Sequence, residues 1–287
     1  MSIWALRFGV GFGGVASIAL ALVTAGDSQA QSKAQRVNPL IEKLLSGGVA
    51  TTPADWNFID MEHGPYSIDK LQTILADMGK TRKANGQIGT AAIVRIPMDG
   101  DENSKFVVKQ VLDSGAHGIV FPHIENKEQA ARAIEAMRYP AQKGTKYPTP
   151  QGVRGYGPGR AATFWGLQVP EYIKRADVWP LNPDGELIAV MMIESAEGVK
   201  NAAEIMNTPG VGAVFIGASD LGMNLGVGPA SPAIPPETEK ANETVAAACK
   251  QAKVVCAYPV MNGKAEMDKK IGQGFRMLLV TGSALKE

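Results

Sequence analysis

From Gln31 onward, short apolar runs alternate with amphipathic stretches. The runs at 56–60, 91–96, 118–122, 187–194, 211–217, 254–258 and 277–280 read as strands. Several are almost uniformly apolar, the mark of parallel strands covered on both faces. The stretches between them read as helices. One opens at Ser67 and gathers Ile68, Leu71, Leu75 and Met78 on one face, and the next covers 104–114 with Val107, Val111 and Leu112. A third starts at Asn126, where Gln129 completes a capping box, and buries Ala130, Ile134 and Met137. Further helices are predicted at 169–177, 195–206, 236–253 and 264–272. Strand–helix alternation with short connections means parallel strands joined by right-handed crossovers. Residues 140–159 break this rhythm with Pro140, Pro148, Pro150 and Pro158, and read as a long ordered loop or lid.

The length of 287 residues, 45% of them hydrophobic, suits a single α/β barrel, a fold that takes roughly 250 residues. Net charge is +1 without any Lys/Arg block, which excludes a nucleic-acid groove or a polybasic membrane patch. The N-terminus reads differently from the rest. Arg7 precedes an uncharged apolar run at 8–25 and a small-x-small site ending at Ala30, so 1–30 is expected to be an export signal and 31–287 one barrel domain. The protein is then periplasmic or secreted; a membrane anchor is the alternative reading of the same run. Cys249 and Cys256 read as a helix residue and a buried strand residue, with a disulfide possible if the protein is exported.

In a parallel barrel, functional groups gather where strands end and βα loops begin. The strand ends here are polar: Asp60-Met61-Glu62-His63, then Arg95, Pro122-His123, Glu194, and Gly217-Ala218-Ser219-Asp220. Glu194 and Asp220, on neighbouring strands, form a hard-oxygen pair suited to Mg²⁺ or Mn²⁺. They could equally cap the helices that follow, and the spacing leaves both readings open. His63 follows two acids and could serve as a base, or stand as a surface residue. Arg95 suits a carboxylate or enolate oxygen, or a structural ion pair. The small residues Gly217, Ala218 and Ser219 let backbone amides approach an anionic ligand. Of the other histidines, His117 reads as structural and His123 as a pocket wall.

These stretches, with Ala92-Ile93-Val94-Arg95, Arg138-Tyr139-Pro140, Gly152-Val153-Arg154-Gly155-Tyr156-Gly157 and Phe215-Ile216-Gly217-Ala218-Ser219-Asp220-Leu221-Gly222, resemble the HpcH/HpaI aldolase/citrate lyase family. The likeness runs through residues 38–282 and points to its metal-dependent (class II) pyruvate-aldolase branch. It implies a (β/α)8 TIM barrel of the phosphoenolpyruvate/pyruvate type. It also implies a lyase that cleaves or forms 2-oxo-4-hydroxy acids through a pyruvate enolate, giving pyruvate and an aldehyde. By the same resemblance Glu194 and Asp220 bind a divalent ion (Mg²⁺, Mn²⁺ or Co²⁺), and His63, with Asp60 and Asp113 as carboxylate partners, is the acid–base centre. Arg95 then holds the keto oxygen, and residues 217–220 receive the substrate carboxylate. Relatives are homo-oligomers, often hexamers. The partners are therefore a small oxo acid, an aldehyde and further copies of the chain.

Several features depart from the family pattern. Only residues 41–58 separate the Asn38-Pro39-Leu40 opening from the first catalytic turn, so one βα unit is expected to be missing or shortened, with a free sheet edge. Met192 and Ala218 stand where relatives carry a polar residue and proline. The rival readings are a citrate lyase-type CoA-thioester lyase, against which the His63 of the first loop argues, and a catalytically silent oxo-acid-binding barrel. A flavin or nicotinamide enzyme lacks its glycine fingerprint.

Overall fold

In the computed structural model, residues 35–97 and 105–281 are described. Two units divide the chain, Met1–Gln35 and Arg36–Glu287, and the elements below belong to the second. The export-signal segment and Ser104 lie outside the described residues.

The helix α1 (Pro39–Leu45) leads into β1 (Ala50–Thr51) and β2 (Trp56–Asp60). Then follow α2 (Ile68–Gly79), β3 (Ala91–Arg95), α3 (Lys105–Ser114), β4 (Gly118–Phe121) and α4 (Lys127–Met137). After the 140–158 loop come α5 (Gly159–Trp165), α6 (Val169–Arg175), β5 (Val178–Trp179), β6 (Leu187–Ile193), α7 (Ala196–Lys200) and α8 (Ala202–Met206). The chain closes with β7 (Val211–Ile216), α9 (Ala218–Asn224), α10 (Pro236–Ala252), β8 (Val255–Val260), α11 (Lys264–Gln273) and β9 (Met277–Val280).

The strands pair in the order β1-β9-β8-β7-β6-β4-β3-β2, every ladder parallel, with β5 added beside the start of β6. The result is a nearly closed barrel of eight strands. Its apolar strands serve two cores at once, as alternating residues require. Ile93, Val120, Ile188, Val190, Met192, Ala213 and Phe215 fill the interior, while Ala92, Val94, Ile119, Ala189 and Met191 meet the helices. Leu40 and Ile41 of α1 join the inner cluster. Asn38 holds that helix at the N-terminal end of the barrel. Its Oδ1 caps Leu40 and Ile41, and its Nδ2 donates to the carbonyls of Glu186 and His117, both just ahead of strands.

The expected shortening is at the first βα unit. β1 passes into β2 through residues 52–55 with no helix between them, and β1 pairs with β9 while β2 pairs with β3. β2 is accordingly less covered than its neighbours, with Asn57 and Phe58 only half-buried. A cleft of about 340 Å³ runs along residues 57–61, floored by Ile74 and Met78 of α2.

Two local expectations are corrected and a third is settled. The helix expected at 195–206 is two, because Asn201 (φ −94°, ψ 8°) ends α7 and begins α8. Gln129 returns its side chain to the Glu125 amide (2.6 Å), one residue before the Asn126 cap. The third, left open by the sequence, concerns the cysteines: Cys249 and Cys256 stand in helix and strand as read, and a disulfide joins them, because left-handed Lys253 (φ 57°) turns the chain from α10 back into β8 and their Cα atoms come within 5.9 Å.

Candidate active site

Sheet order decides which strand ends meet. β7, β6, β4, β3 and β2 are consecutive neighbours. The residues at and just beyond their C-terminal ends therefore follow one arc: Asp220 in α9, Glu194, His123, Arg95 and Asp60.

Register fixes the first contact. Asp60 and Arg95 are direct partners across the β2–β3 ladder. The guanidinium grips Asp60 in a fork, Nε to Oδ1 at 3.0 Å and Nη2 to Oδ2 at 2.6 Å. Its Nη1 lies 2.8 Å from Glu62 Oε2. Arg95 is buried, and its Cζ lies 5.3 Å from the centre of the Phe58 ring. Burial works against the guanidinium charge, but Asp60 and Glu62 outweigh it and hold the group above its ordinary pKa. Asp60 responds in kind: burial pushes its carboxyl up, yet Arg95 and the amides of Glu62 and His63 bring it below the usual range. Glu62 goes the other way, since burial prevails over Arg95 and the two nearby imidazoles.

The His63 side chain is 64% exposed, with Nε2 3.7 Å from Glu62 Oε2. Its backbone amide donates to Asp60 Oδ1 (3.4 Å). The carboxylate beside its imidazole is thus that of Glu62. Asp113 is not brought there. It accepts from Lys109 (2.6 Å) and from Arg154 (2.9 Å). Arg154, fully buried, also donates to the Tyr172 hydroxyl (2.9 Å) and stacks 4.4 Å over the Tyr139 ring. Asp113 therefore ties the 140–158 loop to α3.

Glu194 continues β6 into the pocket, its side chain only 1% exposed. Oε1 accepts from the His123 amide (2.8 Å) and lies 3.5 Å from His123 Nδ1. Oε2 occupies the space that a side chain at 217 would take: a Cβ there would come within 2.2 Å of it. That approach explains the glycine. Burial raises the Glu194 carboxyl above its ordinary range; the amide and ring of His123 oppose this, and the charges of Asp220 and Glu62 add to it. Asp220 stands exposed in the first turn of α9. The first amides of that helix have no acceptor within it.

The sequence reading assigns Glu62 no role of its own, although it stands in the first strand-end turn; it lies two residues beyond Asp60, so an extended turn returns it to the same side. His123, read as a pocket wall, sits there with a left-handed backbone (φ 52°) that turns its amide and ring toward Glu194.

Asp60, Glu62 and Glu194 thus act on one guanidinium, and Asp220 adds its charge beside the buried Glu194. That surplus of negative charge fits a divalent cation held by hard oxygens. Among the described residues no set of three or more His, Cys, Asp or Glu converges as a complete cage. A cation on Glu194 and Asp220 would keep positions open for substrate.

Known proteins resemble this chain over most of its length. A model of the HpcH/HpaI aldolase/citrate lyase family matches residues 39–283. A protein named hydroxypyruvate/pyruvate aldolase from Delftia acidovorans is 37% identical over 179 residues, 62% of this chain and 56% of that protein. A 5-keto-4-deoxy-D-glucarate aldolase from Klebsiella pneumoniae is 31% identical over 216 residues, 75% of this chain and 70% of that one. The crystal structure of an HpcH/HpaI aldolase/citrate lyase family protein from Burkholderia cenocepacia superposes with a TM-score of 0.70 at 26% identity, over 86% of this chain and 94% of that chain. The match to the Delftia protein spans less than two thirds of that protein's length.

Proposed function

The chain belongs to the HpcH/HpaI aldolase/citrate lyase family, and we propose that it is a metal-dependent lyase that cleaves or forms 2-oxo-4-hydroxy acids through a pyruvate enolate. The observation that carries this reading is the arc formed by Asp60 and Arg95, which end β2 and β3, by Glu194, which follows β6, and by Asp220, in α9 after β7. The two relatives named as aldolases support it.

A Mg²⁺, Mn²⁺ or Co²⁺ ion held by Glu194 and Asp220 would supply Lewis acidity to the oxygens of the oxo acid. The chain's own groups do the rest. The first-turn amides at 218–220 receive the substrate carboxylate, and Gly217 keeps the approach open. His63, exposed to the mouth and steered by Glu62, takes the proton of the 4-hydroxyl. As that oxygen becomes the aldehyde carbonyl, the C3–C4 bond breaks and its electron pair passes into the enolate of pyruvate. Arg95, kept charged by Asp60 and Glu62, faces the developing oxyanion. A proton delivered to C3 completes pyruvate, and the reverse sequence adds pyruvate to an aldehyde. Asp113 enters only through the loop it anchors.

A CoA-thioester lyase fits less well, because His63 replaces the acid expected in the first loop. Incubation with a panel of 4-hydroxy-2-oxo acids, before and after EDTA and with Mn²⁺ restored, tests the reading. Metal-dependent pyruvate release is expected; its absence on every substrate would leave a silent oxo-acid-binding barrel.

The same reading takes the mature protein to be exported and to assemble as a homo-oligomer. The Cys249–Cys256 disulfide supports an oxidising compartment. Subcellular fractionation with N-terminal sequencing checks the first point, and light-scattering mass of the purified protein checks the second.

A further inference from the structure

We propose that the cleft beside β2 receives the substituent on C4 of the substrate, and that this substituent is an apolar hydrocarbon chain rather than a charged or hydroxylated one. The inference rests on the lyase reading above and deepens it by naming the aldehyde half of the reaction.

The shortened first βα unit leaves β2 at the end of the sheet order, paired with β3 alone among the described strands. The cleft of about 340 Å³ opens along this strand. Two observations tie it to the site. Its upper wall is the catalytic turn itself, since Asp60, Met61, Gly64 and Pro65 line it on either side of His63. His63 meets the 4-hydroxyl in the proposed reaction, so the chain on the same carbon leaves beside that wall. Its inner wall is Phe58. The centre of that ring lies 5.3 Å from Arg95 Cζ and 6.0 Å from the ring of Phe215, on which it stacks. One aromatic side chain thus borders both the guanidinium and the cleft.

The lining decides the class of chain. Below the turn it is apolar, with Ile59, Leu71, Ile74 and Met78. The polar side chains beside them are already engaged. Asn57 Nδ2 donates to Thr90 Oγ1 (2.6 Å), Asp60 is held in the fork of Arg95, and the Ser67 hydroxyl accepts the Lys70 amide (3.2 Å). The Lys70 side chain stands at the exposed rim. A hydroxyl or carboxylate carried into this cleft loses water without gaining a partner, whereas each methylene gains by leaving water.

The test is aldol addition of pyruvate by the full-length protein with Mn²⁺ present, over straight-chain aldehydes from acetaldehyde to hexanal. From propanal to hexanal, kcat/KM is expected to rise about threefold with each methylene, about 30-fold in all, mainly through KM. An aldehyde of the same length that ends in a carboxylate should forfeit this gain. Ile74→Trp, which fills the cleft from α2, should remove the gain for hexanal and leave acetaldehyde within about twofold. Met78→Trp repeats the measurement if the first variant does not fold. A flat profile over chain length, a carboxylated aldehyde preferred to hexanal, or a hexanal gain that survives the cleft-filling variants overturns the subsite, while turnover of acetaldehyde keeps the lyase reading standing. No turnover of any aldehyde, short or long, overturns both.

Discussion

A single guanidinium sets the polarity of the pocket. Arg95 spends three of its donors on Asp60 and Glu62. A lysine keeps the charge but cannot reproduce the fork. Arg95→Lys is therefore expected to lower kcat/KM for pyruvate release by about 10²-fold, read in a coupled pyruvate assay. Gly217→Ala places a methyl 2.2 Å from Glu194 Oε2. It should abolish cation binding in a calorimetric titration while the circular dichroism spectrum stays that of the wild type. Asp60, Arg95, Glu194 and Asp220 were legible because each ends or closely follows an apolar strand, where a charge is costly without a purpose. Glu62 and His123 were placed at the same face, but their contacts with Arg95 and Glu194 depend on the turns that fold them back, and sequence spacing does not show those turns.

The elements that carry the site were largely readable, and their lengths explain which were. Strands β2, β3, β4, β6, β7, β8 and β9 lie where apolar runs placed them. The two-residue strands β1 and β5 are too short for a period to register, and of the seven-residue helices only α6 was read, while α1, α5 and α9 were not. The 140–158 loop was visible as prolines and glycines, but its anchor was not. Asp113, assigned by resemblance to the acid–base centre, instead holds Arg154. Asp113→Asn leaves that fully buried guanidinium without its carboxylate, at a cost of about 3 kcal/mol in urea unfolding. Limited proteolysis within 140–158 should accelerate, whereas the pH profile of turnover should not move. A shifted profile would return Asp113 to proton transfer.

At the scale of the whole molecule, one further buried charge among the described residues lies between α10 and α11. Lys270 of α11 is fully buried against Glu239 of α10 (2.6 Å) and lies 4.3 Å from the centre of the Tyr258 ring. Burial pushes Glu239 up, but Lys269, Lys270 and Gln273 override it and bring the carboxyl to about 2. Its folded pKa thus lies below the unfolded one. The stability it contributes is fully present above the unfolded value, near 4.5, and is lost as pH falls toward about 2. Thermal melting should decline over that window, and Glu239→Gln should lower the midpoint at neutral pH while flattening that part of the curve. The shortened first βα unit leaves the barrel with eight parallel strands, and the arc of site residues lies on strands that pair without interruption. Diffraction from crystals grown with Mn²⁺ and pyruvate, recorded at the manganese absorption edge, would locate the ion itself. One anomalous peak per chain is expected, liganded by Glu194 and Asp220 together. A peak elsewhere, or these two carboxylates too far apart to share one ion, contradicts it.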